Sequence, residues 1–590
     1  MPDPHFANDR KIPASVAGSG ISPSAANRNS SNINDPQTSR PDPHFANDGK
    51  VPSLVAGSGI FPSATKHPCA NSGYTSYLEQ ASNPQQSTVS PSYPFNNTHA
   101  VPLSADYAPY SADLPYEDEL SKILNFSQLS FPSPQIPGAN SVLSEPSFYF
   151  LSGTNYFPFA KDAKVVSKNN SVNDKQNHGV SKMPFDVNLI KKDFPILQEH
   201  VTGRPLIWLD NAATTQKPKH VIDRISYFYE HENSNIHRAA HELAARATDA
   251  YESARKKVQI FLNTKSVNEI IFVRGATEAI NLVAKSWGAQ NLKEGDEIII
   301  SHLEHHANIV PWHQLSQQKG LRIKVIPVDD DGQILLDEYA KLLSSKTKLV
   351  SFTQVSNALG TVTPAKKMVE MAHQTGAKVL VDGAQTVSHM RADVTYLNCD
   401  WYVFSGHKVF GPTGIGVLYG KEDLLNETQP WQGGGNMIVD VTFEHTTYHN
   451  APGRFEAGTG NIADAVGLGA AIDYVSKIGI DLISEYEHYL LMYATRLLKN
   501  ISGLRLIGTA AEKAGVLSFV LDGYKTEEVG AAISQHGIAV RSGHHCAQPI
   551  LRRFGVEATV RPSIALYNTC ADIDALINVL QRLSSNRSKK

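Results

Sequence analysis

The chain has 590 residues, with 54 basic and 57 acidic side chains and a formal charge of −3. Such a near balance offers no argument for a nucleic acid or an anionic membrane as partner, and a small neutral or zwitterionic substrate fits better. No uninterrupted apolar run reaches the ~18 residues of a membrane span, and Met1-Pro2-Asp3-Pro4-His5 opens no basic segment leading into an apolar one, so the cytoplasm is the default location.

Residues 1–184 hold 22 of the 33 prolines and are rich in Ser, Asn and Gly. Chain of this composition buries too little apolar surface to offset the entropy of ordering, so a disordered extension is expected. Residues 2–26 recur as 41–65 with 19 of 25 positions identical. Two Pro/Gly/Ser-rich copies are too few for a solenoid; a duplicated linear motif gains avidity for a multivalent partner, while recent duplication in a neutral linker is the bland alternative. Further on, Asp113-Leu114-Pro115 can start a short helix with Leu120, Ile123, Leu124 and Phe126 on its apolar side, and six aromatics in Phe148–Phe150 and Tyr156–Phe159 suit docking anchors.

From Phe185 the pattern is globular. Glu269–Val273, Glu297–Ile300, Leu349–Phe352, Lys378–Val381 and Trp401–Phe404 read as short strands, most followed by turn residues and helical spacing. That alternation predicts an α/β fold with a mainly parallel sheet, in which ligands gather at the carboxyl ends of strands. The notable residues fall at those ends. Asp382 follows one strand, and Ser405-Gly406-His407-Lys408 follows another, just before a glycine-rich run to Gly416. A lysine at a strand end is ordinarily a solvated surface residue; in this tight setting it can form a Schiff base, with Asp382 pairing a pyridinium nitrogen, the pairing expected for pyridoxal phosphate. Thr277 sits at a helix start suited to phosphate, or as an ordinary cap, and Ser405 and His407 flank the lysine. His305 can stack on a ring, or serve as a metal ligand with His302 and His306, although no fourth ligand pattern supports zinc. The four cysteines, Cys69, Cys399, Cys546 and Cys570, are widely spaced and suggest neither a disulfide framework nor a metal ribbon. Cys546, in Arg541-Ser542-Gly543-His544-His545-Cys546-Ala547, lies among cationic or ionisable neighbours that favour thiolate; a structural residue or partial metal site remains the alternative.

Seven ordered motifs carry a resemblance that covers the chain from Phe185 onward. They are Asn211–Pro218, Arg274–Asn281, Glu304–Trp312, Val381–Gln385, Ser405–Lys408, Arg454–Thr459 and Arg541–Ala547. This part resembles group II (SUF-type) cysteine desulfurases, grouped with selenocysteine lyases in the class V aminotransferase superfamily. The compact Arg-x-Gly-His-His-Cys form favours group II. The resemblance implies pyridoxal-phosphate fold type I, with a large domain at 185–480 around a mainly parallel seven-stranded sheet and a small α+β domain at 481–590 carrying Cys546. It also implies roles: Lys408 as Schiff-base and proton-shuttling lysine, Asp382 on the pyridine nitrogen, Gln385 on the phenolic oxygen and His305 on the ring. Thr277, Ser405 and His407 hold the phosphate, with Thr459 from a second subunit. Arg561 clamps the substrate carboxylate, Asn357 and Arg541 assist, and His237 lines the site from the dimer partner. No metal is implied.

The implied reaction takes L-cysteine to alanine and a persulfide on Cys546, which a sulfur-acceptor protein would relieve, for iron–sulfur cluster or other sulfur metabolism. A selenocysteine lyase or another class V lyase is the runner-up, and a scaffold on a degenerate enzyme fold a weaker one, since no expected catalytic position is lost. The long extension departs from the ordinary family pattern. It resembles those of desulfurases packaged as cargo in encapsulin-type nanocompartments, which implies a shell protein as partner of residues 1–184.

Overall fold

The computed structural model describes residues 185–237 and 241–586. The tandem repeat, the short helix after Asp113 and the aromatic cluster lie outside them. Seven strands form the main sheet: β1 Ile270–Val273, β2 Glu297–Ser301, β3 Arg322–Ile326, β4 Thr347–Thr353, β5 Lys378–Asp382, β6 Trp401–Ser405 and β7 Gly416–Gly420. Their order is β1-β7-β6-β5-β4-β2-β3, with β7 antiparallel to both neighbours and the other pairs parallel. The inner strands read as continuous apolar runs because helices cover both faces. Ile-Ile-Ile in β2 and Val-Leu-Val in β5 are buried throughout.

Two strands escaped the sequence reading. The edge strand β3 alternates Arg322 and Lys324 with aliphatics, and β7 follows the glycine-rich run after Lys408. Four of the predicted strands also run one residue further at their carboxyl ends: Ser301, Thr353, Asp382 and Ser405 are the last residues of β2, β4, β5 and β6 rather than the first beyond them.

The outer edge of β1 is closed by an ion pair assembled from distant sequence. Arg255, on the helix Glu242–Phe261, donates to the Ile270 carbonyl at 2.8 Å, while Glu456 accepts from the Phe272 N–H at 2.8 Å. The two side chains meet at 2.7 Å, Arg255 buried and Glu456 nearly so, and each charge is satisfied by the other and by the strand.

A second sheet is antiparallel throughout, in the order β8-β9-β11-β10, from β8 Leu504–Ile507, β9 Ser518–Leu521, β10 Arg541–Gly543 and β11 Thr559–Arg561. The helix Val187–Lys192 near the start of the described chain reaches this region: Phe185 packs on Tyr486 at 4.8 Å between centroids, and Lys191 pairs with Asp572 at 3.1 Å. Among the described residues no helix is long and apolar enough to cross a membrane.

Candidate active site

The ends of β4, β5 and β6, the loop after β2 and residues of the second sheet enclose a cavity of ≈ 180 Å³. Ten of the predicted residues line it together: Thr277, His305, Asn357, Asp382, Gln385, Ser405, His407, Lys408, Arg541 and Arg561. Strand ends supply them because a parallel sheet points all its carboxyl termini the same way.

Asp382 is buried, and its Oδ1 accepts from the Ala384 N–H at 2.9 Å. Burial raises its pKa, against that hydrogen bond and the nearby Lys408 charge. The next residue must be glycine for steric reasons alone: a Cβ on Gly383 would stand 2.1 Å from the Tyr402 ring. Lys408 ends the turn Gly406–Lys408, and burial lowers its amine to about 8; Asp382 opposes the shift, while Arg561 and Arg541 add to it. At about 8 the uncharged fraction near neutrality is far larger than that of an ordinary lysine, which suits attack on a carbonyl.

His305 caps the short helix His306–Asn308, its Nδ1 accepting from the Ala307 N–H at 3.0 Å. Burial, followed by the Lys408 charge, holds the ring down to about 3, so it is neutral, with its proton on Nε2. At the other end of the cleft, Gly275 precedes the helix Ala276–Val283, in which Thr277 is the second residue. The Ser405 hydroxyl accepts from the Ala276 N–H at 2.9 Å. His407 is held to about 4 by burial, then by Lys408 and Lys217.

Arg561 is buried, donating to the Asn357 carbonyl at 3.0 Å and to Asp210 at 3.2 Å. Arg541 lies directly across from it in the β10–β11 register. Like charges facing each other across strands are unfavourable unless an anion comes between them. The Asn357 amide in turn donates to the His545 carbonyl at 2.7 Å.

Cys546 stands beside this lining rather than in it, close enough to couple electrostatically with Lys408 and Arg561. It is a half-buried free thiol. His545 and Cys546 both adopt φ of 53°, a left-handed conformation that costs non-glycine residues on the order of 1–3 kcal/mol each. Polar ties hold the turn. The His306 N–H donates to the Cys546 carbonyl at 2.7 Å, the Cys546 N–H donates to His544 Nδ1 at 3.0 Å, and buried His545 bonds Thr559 Oγ1 at 2.8 Å.

Two predicted residues lie elsewhere within the single chain. His237 bonds Glu252 at 3.0 Å, and Thr459 lines a separate cavity of ≈ 500 Å³ with Tyr251, Arg274 and Trp431. Sequence reasoning also missed partners that the structure supplies. Asp210, one residue before the first motif, holds Arg561. Glu304 is fully buried, bonded to Ser301, to Asn308 at 2.6 Å and to the Thr353 N–H at 3.1 Å, and burial lifts its carboxyl to about 8. Its place directly before His305 was the only signal. Among the described residues no group of three or more His, Cys, Asp or Glu side chains gathers as a metal site.

The donor set fits pyridoxal phosphate. A carboxylate faces an amine of lowered pKa, a helix start with small hydroxyls can take a phosphate, and a neutral imidazole flanks the cleft. Three buried polar atoms of the lining, Asn357 Oδ1, His545 Nδ1 and Arg561 Nε, lack hydrogen-bond partners among the described residues.

Similarity to known proteins agrees. A model of the aminotransferase class-V family matches residues 207–576. A cysteine desulfurase of Synechococcus elongatus is 59% identical over 504 residues, covering 82% of this chain and 79% of the relative. That share exceeds what the residues after 184 provide, so the likeness runs into the N-terminal extension. A cysteine desulfurase of Salmonella gallinarum is 50% identical over 402 residues, 68% of this chain and 99% of its own. Among solved structures, the cysteine desulfurase CsdA of Escherichia coli, in an S-sulfonic acid form, superposes with a TM-score of 0.63 at 38% identity, over 68% of this chain and 98% of that one. An apo cysteine desulfurase from Thermococcus onnurineus gives 0.65 at 36%, over 69% and 99%. With the cleft, the fold and these likenesses in agreement, the chain belongs to the class-V aminotransferase family, as a pyridoxal-phosphate-dependent cysteine desulfurase.

Proposed function

We propose that the enzyme converts L-cysteine to L-alanine and stores the sulfur as a persulfide on Cys546, in the manner of group II desulfurases. The observation that carries this reading is the Cys546 turn, tied by its backbone to His306 and, through His545, to Asn357, beside a cleft lined by Lys408, Asp382 and Arg561. Pyridoxal phosphate, bound by Asp382, Gln385, His305, Thr277, Ser405 and His407, supplies an electron sink that acidifies the substrate Cα. Arg561, assisted by Arg541 and Asn357, orients the substrate carboxylate. The Lys408 amine takes the Cα proton and returns one to the product. The Cys546 thiolate then attacks the substrate sulfur: an S–S bond forms, the Cβ–S bond breaks, and its electron pair leaves with Cβ, which is protonated to give alanine.

The division into a large domain at 185–480 and a small one at 481–590 belongs to this reading, as does a cytoplasmic homodimer in which Thr459 and His237 complete the neighbouring site. The persulfide would pass to a sulfur-acceptor protein for iron–sulfur cluster or other sulfur metabolism. Residues 1–184, repeated internally and shared in part with the S. elongatus relative, are proposed to load the enzyme into an encapsulin-type shell. Removal of residues 1–184 should then leave desulfurase activity intact and abolish co-purification with shell protein; a truncated enzyme that still co-assembles refutes the loading role.

The central test is Cys546→Ala. The variant should keep the cofactor absorbance, lose sulfide release from L-cysteine, and no longer give the +S mass shift on the Cys546 peptide. Full activity on cysteine in that variant would overturn the nucleophile assignment. Retained activity on selenocysteine alone would point to a lyase.

A further inference from the structure

Lys217 has no part in the reaction above, yet its side chain is folded inward beneath the cofactor cleft. Its Nζ donates to the His407 carbonyl at 3.1 Å and to the Thr215 carbonyl at 2.5 Å, with Thr214 Oγ1 at 3.5 Å. The same His407 carbonyl is reached by the Thr215 N–H at 3.1 Å, by Thr214 Oγ1 at 3.0 Å and by Thr215 Oγ1 at 3.2 Å. Thr215 Oγ1 also accepts from the Phe410 N–H at 2.8 Å. Residues 214–217 thus grip the turn that follows Ser405 and carries His407 and Lys408, at the peptide immediately before Lys408. Every partner of the ammonium is neutral, and among the described residues no carboxylate stands within ion-pair distance of it. A mostly buried, uncompensated cation is costly unless an anion is nearby. The phosphate end of the cleft needs one: His407 is neutral there, and Arg274, the nearest guanidinium in sequence, is 79% exposed and turned to Glu278.

We propose that Lys217 is a positioning residue that supplies the counter-charge for the cofactor's phosphate through the His407 turn. The proposal rests on the placement of the phosphate at Thr277, Ser405 and His407 given above. Burial alone holds the Lys217 ammonium at about 8, and a phosphate dianion on the far side of His407 would draw that value back up, so that cofactor and lysine charge stabilise each other.

The full-length chain, stripped of cofactor, is reloaded with pyridoxal phosphate and, separately, with pyridoxal, which lacks the phosphate. Lys217→Met should weaken pyridoxal phosphate by about tenfold or more, the scale of a hydrogen bond to a charged group, and change pyridoxal affinity by less than about twofold. Lys217→Arg should recover most of the phosphate-dependent loss, and the melting temperature of the stripped Lys217→Met chain should not fall. Equal losses for both ligands, or unchanged affinity for pyridoxal phosphate, would overturn the proposal. Thr277→Ala separates the two levels of argument. If it fails to distinguish pyridoxal phosphate from pyridoxal, the phosphate placement is wrong; if it distinguishes them and Lys217→Met does not, only the role of Lys217 falls.

Discussion

Lys408 and Cys546, the two residues proposed to act on the same substrate, are held by opposite means. Lys408 ends a turn between two strands of a buried sheet, where packing removes water and lowers its amine to about 8. Cys546 is half-exposed on a left-handed turn between β10 and the helix Gln548–Arg553, held by hydrogen bonds to His306 and His544 rather than by packing. The contrast follows from what each must do. In the proposed reaction the amine loses its proton and stays in place, both of which burial favours. In that proposed reaction the thiol meets the substrate sulfur and later hands sulfur on, which burial would prevent.

The comparison breaks most visibly at the lysine itself. Lys408→Ala should lower turnover by about 10³-fold or more, since it removes both the carbonyl-attacking amine and the proton carrier, and it should abolish the lysine-linked absorbance of the cofactor. An unchanged spectrum would remove Lys408 from this role. Next in size, Arg561→Lys keeps a charge beside Asp210 but loses the planar fork, and should raise KM for cysteine by about 10²-fold with a smaller change in kcat. An effect confined to kcat would assign Arg561 elsewhere.

Asn357→Ala sharpens the contrast on the cysteine side. It removes the tie to the His545 carbonyl while the backbone carbonyl that receives Arg561 stays. Single-turnover persulfide formation should slow by about tenfold, as for one lost buried hydrogen bond, with cofactor affinity unchanged. Equal losses in both would show that the turn and the cleft are one unit. The smallest effect concerns stability. In the cofactor-free chain the Lys408 pKa lies below its unfolded value, so between about 8 and the ordinary lysine range the unfolded state binds more protons, and stability rises with pH across that window. Lys408→Met should therefore raise the melting temperature of the cofactor-free chain at pH 7 by a few degrees, with the gain fading above pH 10; a gain independent of pH would point to packing instead.

The lysine side of this comparison was also the more legible in sequence. Apolar runs such as Val379–Val381 and Tyr402–Phe404 announce buried strands, and a strand end followed by Asp or by Ser-Gly-His-Lys announces a ligand. Edge strand β3 was not legible, because its charges break the apolar run that marks its neighbours. The Cys546 turn gave up its residues but not its geometry: nothing local in His545-Cys546 signals two successive left-handed residues, whose partners Asn357 and Thr559 come from the turn after β4 and from β11. Asp210 and Glu304 were missed for the same reason, since each becomes meaningful only through a partner brought in by the fold.

The pairing of Arg255 with Glu456 has a consequence beyond its own neighbourhood. Glu456 lies in the segment that leads to Thr459, while its carboxylate occupies a backbone donor that an incoming strand would need. A free strand edge is a template for strand recruitment and fibrous aggregation. With β1 blocked by side chains and β3 carrying Arg322 and Lys324, the main sheet is guarded at both margins against growth by another chain. Two copies of this enzyme can therefore meet through side-chain surfaces without their sheets running together.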